Sequence, residues 1–310
     1  MGLGNIDLYG YLLDNVGNSY YFNGLTGEML SQQFTTSYGW SSIGNSNYNG
    51  FQATLKKDIR GGVMFDFNYT YSKSIDITST AARLGFSGTD NIGPPGSRLV
   101  NAFSPNQFRG VSDFDTTHQI NANWLAELPF GRGKQFGRNA SPALNVLIGG
   151  WQLTGVLRWT SGFPFSVDNG QFWATDWDEQ GNGQLVGHPK TGVFKNPTTG
   201  IVSVFADPSA ALNAFVHPYP GQSGSRNVLR GDGYAGWDMG LNKTFHLPWE
   251  SQTLQFRWEV FNVANLTRFN VLAGLGDGAP SLQQTPSTFG AYNGLLTNPR
   301  VMQFALRYQF

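Results

Sequence analysis

The stretch Met302-Gln-Phe-Ala-Leu-Arg-Tyr-Gln-Phe310 decides how the rest of the chain reads. A strand sends alternate side chains to opposite faces. Met302, Phe304, Leu306, Tyr308 and Phe310 therefore share one face, while Gln303, Arg307 and Gln309 share the other with Ala305. An oily face of this kind suits either a protein core or the hydrocarbon of a bilayer. A carboxy-terminal aromatic that completes the stripe has no special task in a soluble edge strand. The choice between core and bilayer falls to the remaining residues.

Composition favours the bilayer. Only 13% of the 310 residues are charged, 15% are aromatic, 40 are glycine, and the formal net charge is zero. An ordinary soluble domain carries about 25% charged residues, so the usual charged coat is thin here. No run approaches the roughly 18 consecutive apolar residues of a membrane helix, which excludes a helical span. A barrel passes the same test, because alternation dilutes its hydrophobicity. The absence of cysteine and the presence of four histidines argue against disulfide staples, thiol chemistry and most zinc sites. Neutral charge offers no basic footprint for nucleic acid. Met1-Gly-Leu-Gly-Asn-Ile-Asp7 has neither a charged nor an apolar export region, so an outer-membrane reading implies an amino-terminal part beyond this sequence.

Alternation predicts seven strands, arranged as hairpins and a terminal strand. In the first hairpin Phe51, Ala53 and Leu55 alternate with Gln52, Thr54 and Lys56. After the Gly-rich turn at 58–62, Val63, Phe65, Phe67, Tyr69 and Tyr71 alternate with Met64, Asp66, Asn68, Thr70 and Ser72. The second sets His118, Ile120, Ala122, Trp124, Ala126 and Leu128 against Gln119, Asn121, Asn123, Leu125 and Glu127. Its return strand sets Trp151, Leu153, Gly155, Leu157 and Trp159 against Gln152, Thr154, Val156, Arg158 and Thr160. Between them Ser141-Pro-Ala-Leu-Asn-Val-Leu147 fits one short helical turn. The third hairpin runs from Trp237, Met239, Leu241, Lys243 and Phe245 to Leu254, Phe256, Trp258 and Val260. Lys243 is the poor fit on its oily face, and a place near a strand end would let it snorkel. The seventh strand spans about 300–310.

The connections alternate short and long. Short ones fall near 58–62, 131–149 and 246–251, and long ones span about 75–115, 162–235 and 264–298. That is the pattern of a barrel with brief periplasmic turns and extended extracellular loops, and it leaves Phe310 on the periplasmic side. The long connections are rich in Gly, Asn, Asp, Ser and Pro, which reads as solvated loop. Residues 1–47 read as another outer-loop remnant with a possible strand at Ile6–Leu13, and residues 48–310 read as barrel. Tyr69, Tyr71, Trp151, Trp159, Tyr308 and Phe310 fall near strand ends, where interfacial girdles place aromatic rings. The fold class expected is all-β: an antiparallel transmembrane β-barrel segment of about seven or eight strands, incomplete as a barrel, with long extracellular loops.

Several stretches also resemble a known family. They are Gly44-Asn-Ser-Asn-Tyr-Asn-Gly-Phe-Gln52, Tyr69-Thr-Tyr-Ser-Lys-Ser-Ile-Asp76, Asp113-Phe-Asp-Thr-Thr-His118 with Leu128-Pro-Phe-Gly131, and Gly149-Gly-Trp-Gln152. Ser161-Gly-Phe-Pro-Phe165, Ser225-Arg-Asn-Val-Leu-Arg-Gly231, Phe256-Arg-Trp-Glu-Val-Phe-Asn262 with Asn265, and Arg300–Phe310 follow in order. Together they resemble the carboxy-terminal part of TonB-dependent outer-membrane receptors, closest to the Oar-like group that carries a carboxypeptidase-regulatory-like domain. The resemblance implies a barrel of roughly 22 strands around an amino-terminal plug, of which this chain would hold the last part. It also implies outer-membrane lipid, the barrel-assembly machinery, the missing plug and strands, and the TonB complex as partners. The expected role is uptake of a substrate across the outer membrane of a Gram-negative bacterium, without enzymatic activity or cofactor.

Candidate site residues are few, and each has a plainer reading beside it. Asp176, Asp178 and Glu179 next to Gly181 suggest a calcium loop. Gln180 and Gly187 break that pattern where an acidic or amide ligand and a bidentate Glu belong, so a solvated acidic loop is the competitor. Trp173 and Trp177 suit stacking on a sugar or another flat ligand, or folding back on their own loop. Lys56, Asp66, Glu127, Arg158, Arg257, Glu259 and Arg307 fall on the lumen-facing register, where they either meet the plug and a substrate path or pair among themselves. Arg257 and Glu259 sit two apart on one face and suit a pair. His118 fits an interface better than a metal. No nucleophile–base set or phosphate loop emerges. Phe310 and its stripe carry the expected assembly role. Two rivals stay open: a self-contained small barrel that uses Ile6–Leu13 as an eighth strand, and a soluble all-β carbohydrate-binding protein.

Overall fold

The computed structural model describes residues 44–77, 79, 104–172, 180–219, 222–247, 252–270 and 280–310. Seven long strands form one antiparallel sheet in chain order: β1 (Asn47–Arg60), β2 (Val63–Asp76), β3 (His118–Glu127), β4 (Trp151–Thr160), β5 (Ala235–His246), β6 (Thr253–Phe261) and β7 (Val301–Gln309). A two-residue strand, Gly110–Val111, pairs with the end of β2. All seven expected strands are present. The possible strand at Ile6–Leu13 lies outside the described residues.

Register shows why alternation was a sound guide. Phe67 stands opposite Leu55 on one side and Ala122 on the other. Further along the same face, Ala122 meets Leu157, Leu157 meets Trp237, and Met239 meets Val260, which meets Met302. On the opposite face Asn68 meets Thr54 and Asn121, Asn121 meets Arg158, and Glu259 meets Gly240 and Gln303. One slip anywhere would exchange the faces, so six matched registers fix an oily side and a polar side across the whole sheet. The oily side is the one that a bilayer would cover. Phe51 is 60% exposed and Phe304 68%, a state that is costly in water and suited to hydrocarbon.

The turn between β1 and β2 is as short as a hairpin allows. Gly61 and Gly62 have φ of 69° and 78°, the paired left-handed conformation of a twist-compatible two-residue loop. On the oily face Gly155 is required for packing: a Cβ there would stand 2.1 Å from the Trp124 ring, which lies across the strand above it. The connection after β3 holds helix α1 (Pro142–Ile148), with Ser141 Oγ accepting from the Leu144 amide at 3.3 Å.

The long connections differ from expectation. Instead of solvated loops, residues 162–172, 180–219, 222–234 and 280–296 pack around an apolar centre of Phe165, Val167, Val204, Phe205, Ala211, Phe215 and Phe289. Phe205 and Phe289 stack with centroids 5.0 Å apart. Short strand pairs (Thr191–Lys195 with Val202–Phe205, Phe215–Val216 with Gln184–Leu185, Leu229–Arg230 with Pro164–Phe165) and a helix, α2 (Pro208–Leu212), give this cap its frame. The Gly, Asn and Pro content that suggested solvation supplies its turns, and the few aromatics between them supply its core. No helix among the described residues is long and apolar enough to cross a membrane.

Candidate functional site

The polar register of β2 changes character along its length. Asp66, Asn68 and Thr70 are half-buried, whereas Ser72, Ser74 and Asp76 are 5%, 6% and 5% exposed. Residues 104–117 fold over that end and join it to the cap. The Ser72 amide donates to Thr117 O at 2.9 Å, Ser112 Oγ to Ser74 Oγ at 2.8 Å, and the Ser74 amide to Asp115 Oδ1 at 2.7 Å.

At the centre of this contact two motifs of the sequence meet. Arg226, its side chain 4% exposed, puts Nη2 at 2.9 Å from Asp113 Oδ2 and 2.8 Å from Asp76 Oδ1. The Asp76 contact is an ion pair, and that oxygen accepts no hydrogen bond. Arg226 also donates to Ser79 Oγ and to the carbonyls of Asp76 and Phe108, and it lies 5.8 Å over the Phe108 ring. Asn227, at φ 54°, donates to Asp113 Oδ1 at 2.8 Å and Val111 O at 2.7 Å. Arg230 pairs with Asp115 and donates to Gly162 O at 3.0 Å. Each acid of Asp113-Phe-Asp115 thus takes one arginine of Arg226-Asn-Val-Leu-Arg230. Burial alone would raise Asp113, but the Arg226 guanidinium beside it, with Asn227 and Ser79 donating, holds its carboxyl below the usual range.

A second group of polar contacts ties the cap to β5 and β6. Asp232 pairs with Arg268 at 3.1 Å and accepts from the Phe269 amide at 3.0 Å, so Arg230-Gly-Asp232 serves internal structure. Asn262, at φ 51°, accepts from Leu266 N at 2.9 Å and donates to Asn298 O at 2.8 Å, while Asp238 accepts from its amide. Burial, with Asp232 nearby, pushes the Tyr292 phenol well above its ordinary range.

The other site residues read from sequence are more dispersed. Arg257 and Glu259 pair on the polar face, and Gln303 donates to the same carboxylate. Asp66 accepts from Asn68 at 2.5 Å and stands opposite Lys56. Arg158 faces Asn121 and Gly236, Arg307 faces Gln255, and Glu127 pairs with Lys134 at 2.9 Å. None of these charges comes together in a cluster, and the buried Arg226 group was not anticipated. Its sequence signal was two arginines four apart in one motif and two aspartates two apart in another. Asp176, Asp178, Glu179, Trp173 and Trp177 lie outside the described residues. His118 sits on the oily face with Nδ1 2.8 Å from Tyr69 Oη, its ring against Tyr71 and Trp159, as part of an aromatic band at the cap end.

One apolar face and one polar face carried across seven antiparallel strands, with a folded cap at one end, is the pattern of an outer-membrane barrel wall. A family profile described as "Outer membrane beta barrel domain" matches residues 14–303, and the chain belongs to that family. Membership places it in the outer membrane. No curated protein and no solved structure matches the chain.

Proposed function

We propose that the chain is the carboxy-terminal barrel portion of a TonB-dependent receptor of the Oar-like kind, a non-enzymatic transporter that takes up a substrate caught at its outer loops. The observation that carries this reading is the open sheet. Among the described residues strands β1 and β7 are its edges, and seven alternating strands make those edges parallel to each other. Antiparallel closure needs an odd number of further strands, and each unpaired backbone group left in lipid costs several kcal/mol. A larger parent barrel supplies those strands. In it, the lumen charges on β2, β4, β6 and β7 face a plug domain, and TonB supplies the energy.

The test is assembly and uptake. This chain, exported alone, is expected to give no heat-modifiable monomer, whereas the complete gene product forms one and loses ligand-dependent growth in a strain lacking TonB. A heat-modifiable monomer from the chain alone would favour a self-contained barrel instead. A soluble monomer without detergent would remove the membrane reading.

Phe310, 94% exposed and just beyond β7, is the residue to which we assign recognition by the barrel-assembly machinery. Phe310→Ala in the complete protein is expected to lower the amount of assembled barrel about tenfold, the scale of about 1.4 kcal/mol in a recognition step. Assembly at the wild-type level, seen by heat modifiability of outer-membrane fractions, would show that the terminal ring has no such task.

A further inference from the structure

Lys243 does not snorkel. It lies on the oily register of β5 opposite Trp151 and Phe256, yet it is only 3% exposed. Helix α1 covers it. Lys243 Nζ donates to Val146 O and, at 3.1 Å, to Leu147 O, and it stands 5.0 Å over the Trp151 ring and 4.9 Å over that of Phe245. Trp151 Nε1 donates to Leu147 O at 2.9 Å. Two side chains of the lipid-facing register therefore hold the carbonyl end of α1, where a cation also complements the helix dipole. That places the helix on the outside of the barrel wall, at the short-turn end.

The surface it presents there is not one for water. Leu144, Val146 and Leu147 are 46%, 55% and 68% exposed, and the packed pair Phe130–Phe136, from the same connection, is 43% and 51% exposed. This apolar surface continues the oily face of the sheet past its end. Residues 128–150 also contain Arg132, Lys134 and Arg138 and no acidic residue. Lys134 is engaged by Glu127, while Arg132 and Arg138 are exposed, and Asn145 Oδ1 ties the Arg132 amide to the helix at 2.6 Å.

We propose that the 128–150 connection is a foot seated in the phospholipid leaflet at the short-turn end. Leu144, Val146, Leu147, Phe130 and Phe136 enter the acyl boundary, and Arg132 and Arg138 take anionic headgroups. Amphipathic segments lie at this depth by burying an apolar face under a basic one, and each basic residue near an anionic surface strengthens the attachment about fivefold. Lys243 is the positioning residue that aims the helix at the lipid. The inference rests on the barrel family and not on transport.

These 310 residues have no cysteine, so once any thiol elsewhere in the complete protein is changed to serine, one introduced thiol reports one place. The complete protein carrying Leu147→Cys or, as an aqueous control beside the β1–β2 turn at the same end, Asp58→Cys at an exposed position is labelled with a fluorophore. It is then folded into phosphatidylcholine vesicles with and without phosphatidylglycerol. The Leu147 label is expected to be quenched by iodide about tenfold less than the Asp58 label and to be quenched by doxyl-labelled lipid. Phosphatidylglycerol should increase its protection, and the pair Arg132→Gln and Arg138→Gln should cancel that increase. Lys243→Met, checked for folding by heat modifiability, should return the label to iodide. Equal iodide quenching at both positions would overturn the proposal, as would a label protected from iodide but silent to doxyl lipid, which reports a protein partner. Protection indifferent to phosphatidylglycerol would overturn the headgroup assignment.

Discussion

Arg226→Ala is expected to release the cap from the sheet. The guanidinium is almost fully buried, and its removal leaves Asp113 and Asp76 as buried carboxylates facing one another's field without a cation. Breaking one partner out of such a pair typically costs about 3 to 5 kcal/mol, chiefly from the charge left behind. Ser79 Oγ and the carbonyls of Asp76 and Phe108 lose a donor as well. The loss falls on long-range contacts, because Arg226 is 113 residues from Asp113 and 150 from Asp76. Limited proteolysis and amide exchange should therefore show residues 104–117 and 222–231 opening while the hairpin of β1 and β2 stays protected. Arg226→Lys should recover little, since one ammonium cannot span the acceptors that a planar fork reaches. Arg230→Ala, at a residue a third exposed, should cost less. Wild-type protection in Arg226→Ala would show that the apolar centre alone holds the cap.

The same group sets a pH dependence. Asp113 is held below its ordinary value near 3.8. A carboxyl depressed in the folded state contributes stability that is complete above its unfolded value, about 3.9, and is lost as pH falls through the folded one. Cap protection should therefore be flat between about pH 5 and 8 and fall below about pH 4. Asp113→Asn should remove that acid-dependent step.

The barrel wall was legible because its rule is local. Period two, read from Val63 to Ser72 or from Met302 to Phe310, needs no knowledge of neighbours, and every register then falls into line. The cap was not legible for the opposite reason. Its apolar centre collects single residues from distant loops, Phe165 with Val204 and Phe289, and none carries a periodic signal. Asp113-Phe-Asp and Arg226-Asn-Val-Leu-Arg were visible as motifs, but complementarity across more than a hundred residues has no trace in one sequence. Lys243 shows the limit from the other side. Its charge contradicted the strand pattern, and the resolution lay in α1, a helix whose contact with β5 no spacing announces.

A charge placed on each face separates a barrel in lipid from every soluble arrangement of the same sheet. Phe67 and Asn68 are neighbours in β2, flanked by β1 and β3, so neither substitution acts on an edge. Phe67 stands between Leu55 and Ala122, and Asn68 between Thr54 and Asn121. Arginine on the lipid face of a transmembrane barrel costs about 2 to 4 kcal/mol near the midplane, so Phe67→Arg should strongly depress folding into vesicles. Asn68→Arg removes contacts to Asp66 and Thr54 but gains a wet lumen and the Asp66 carboxylate two residues away. Its expected cost is below about 1 kcal/mol, the range of a lost hydrogen bond offset by an exposed ion pair. Urea unfolding of the complete protein in vesicles, followed by heat modifiability, reads both. If the order of the two variants is reversed, the faces have been assigned the wrong way round and the apolar stripe from Phe51 to Phe304 points inward. If the two variants are equally stable, the sheet does not sit in a bilayer, and the outward Phe and Leu side chains need a protein partner to cover them.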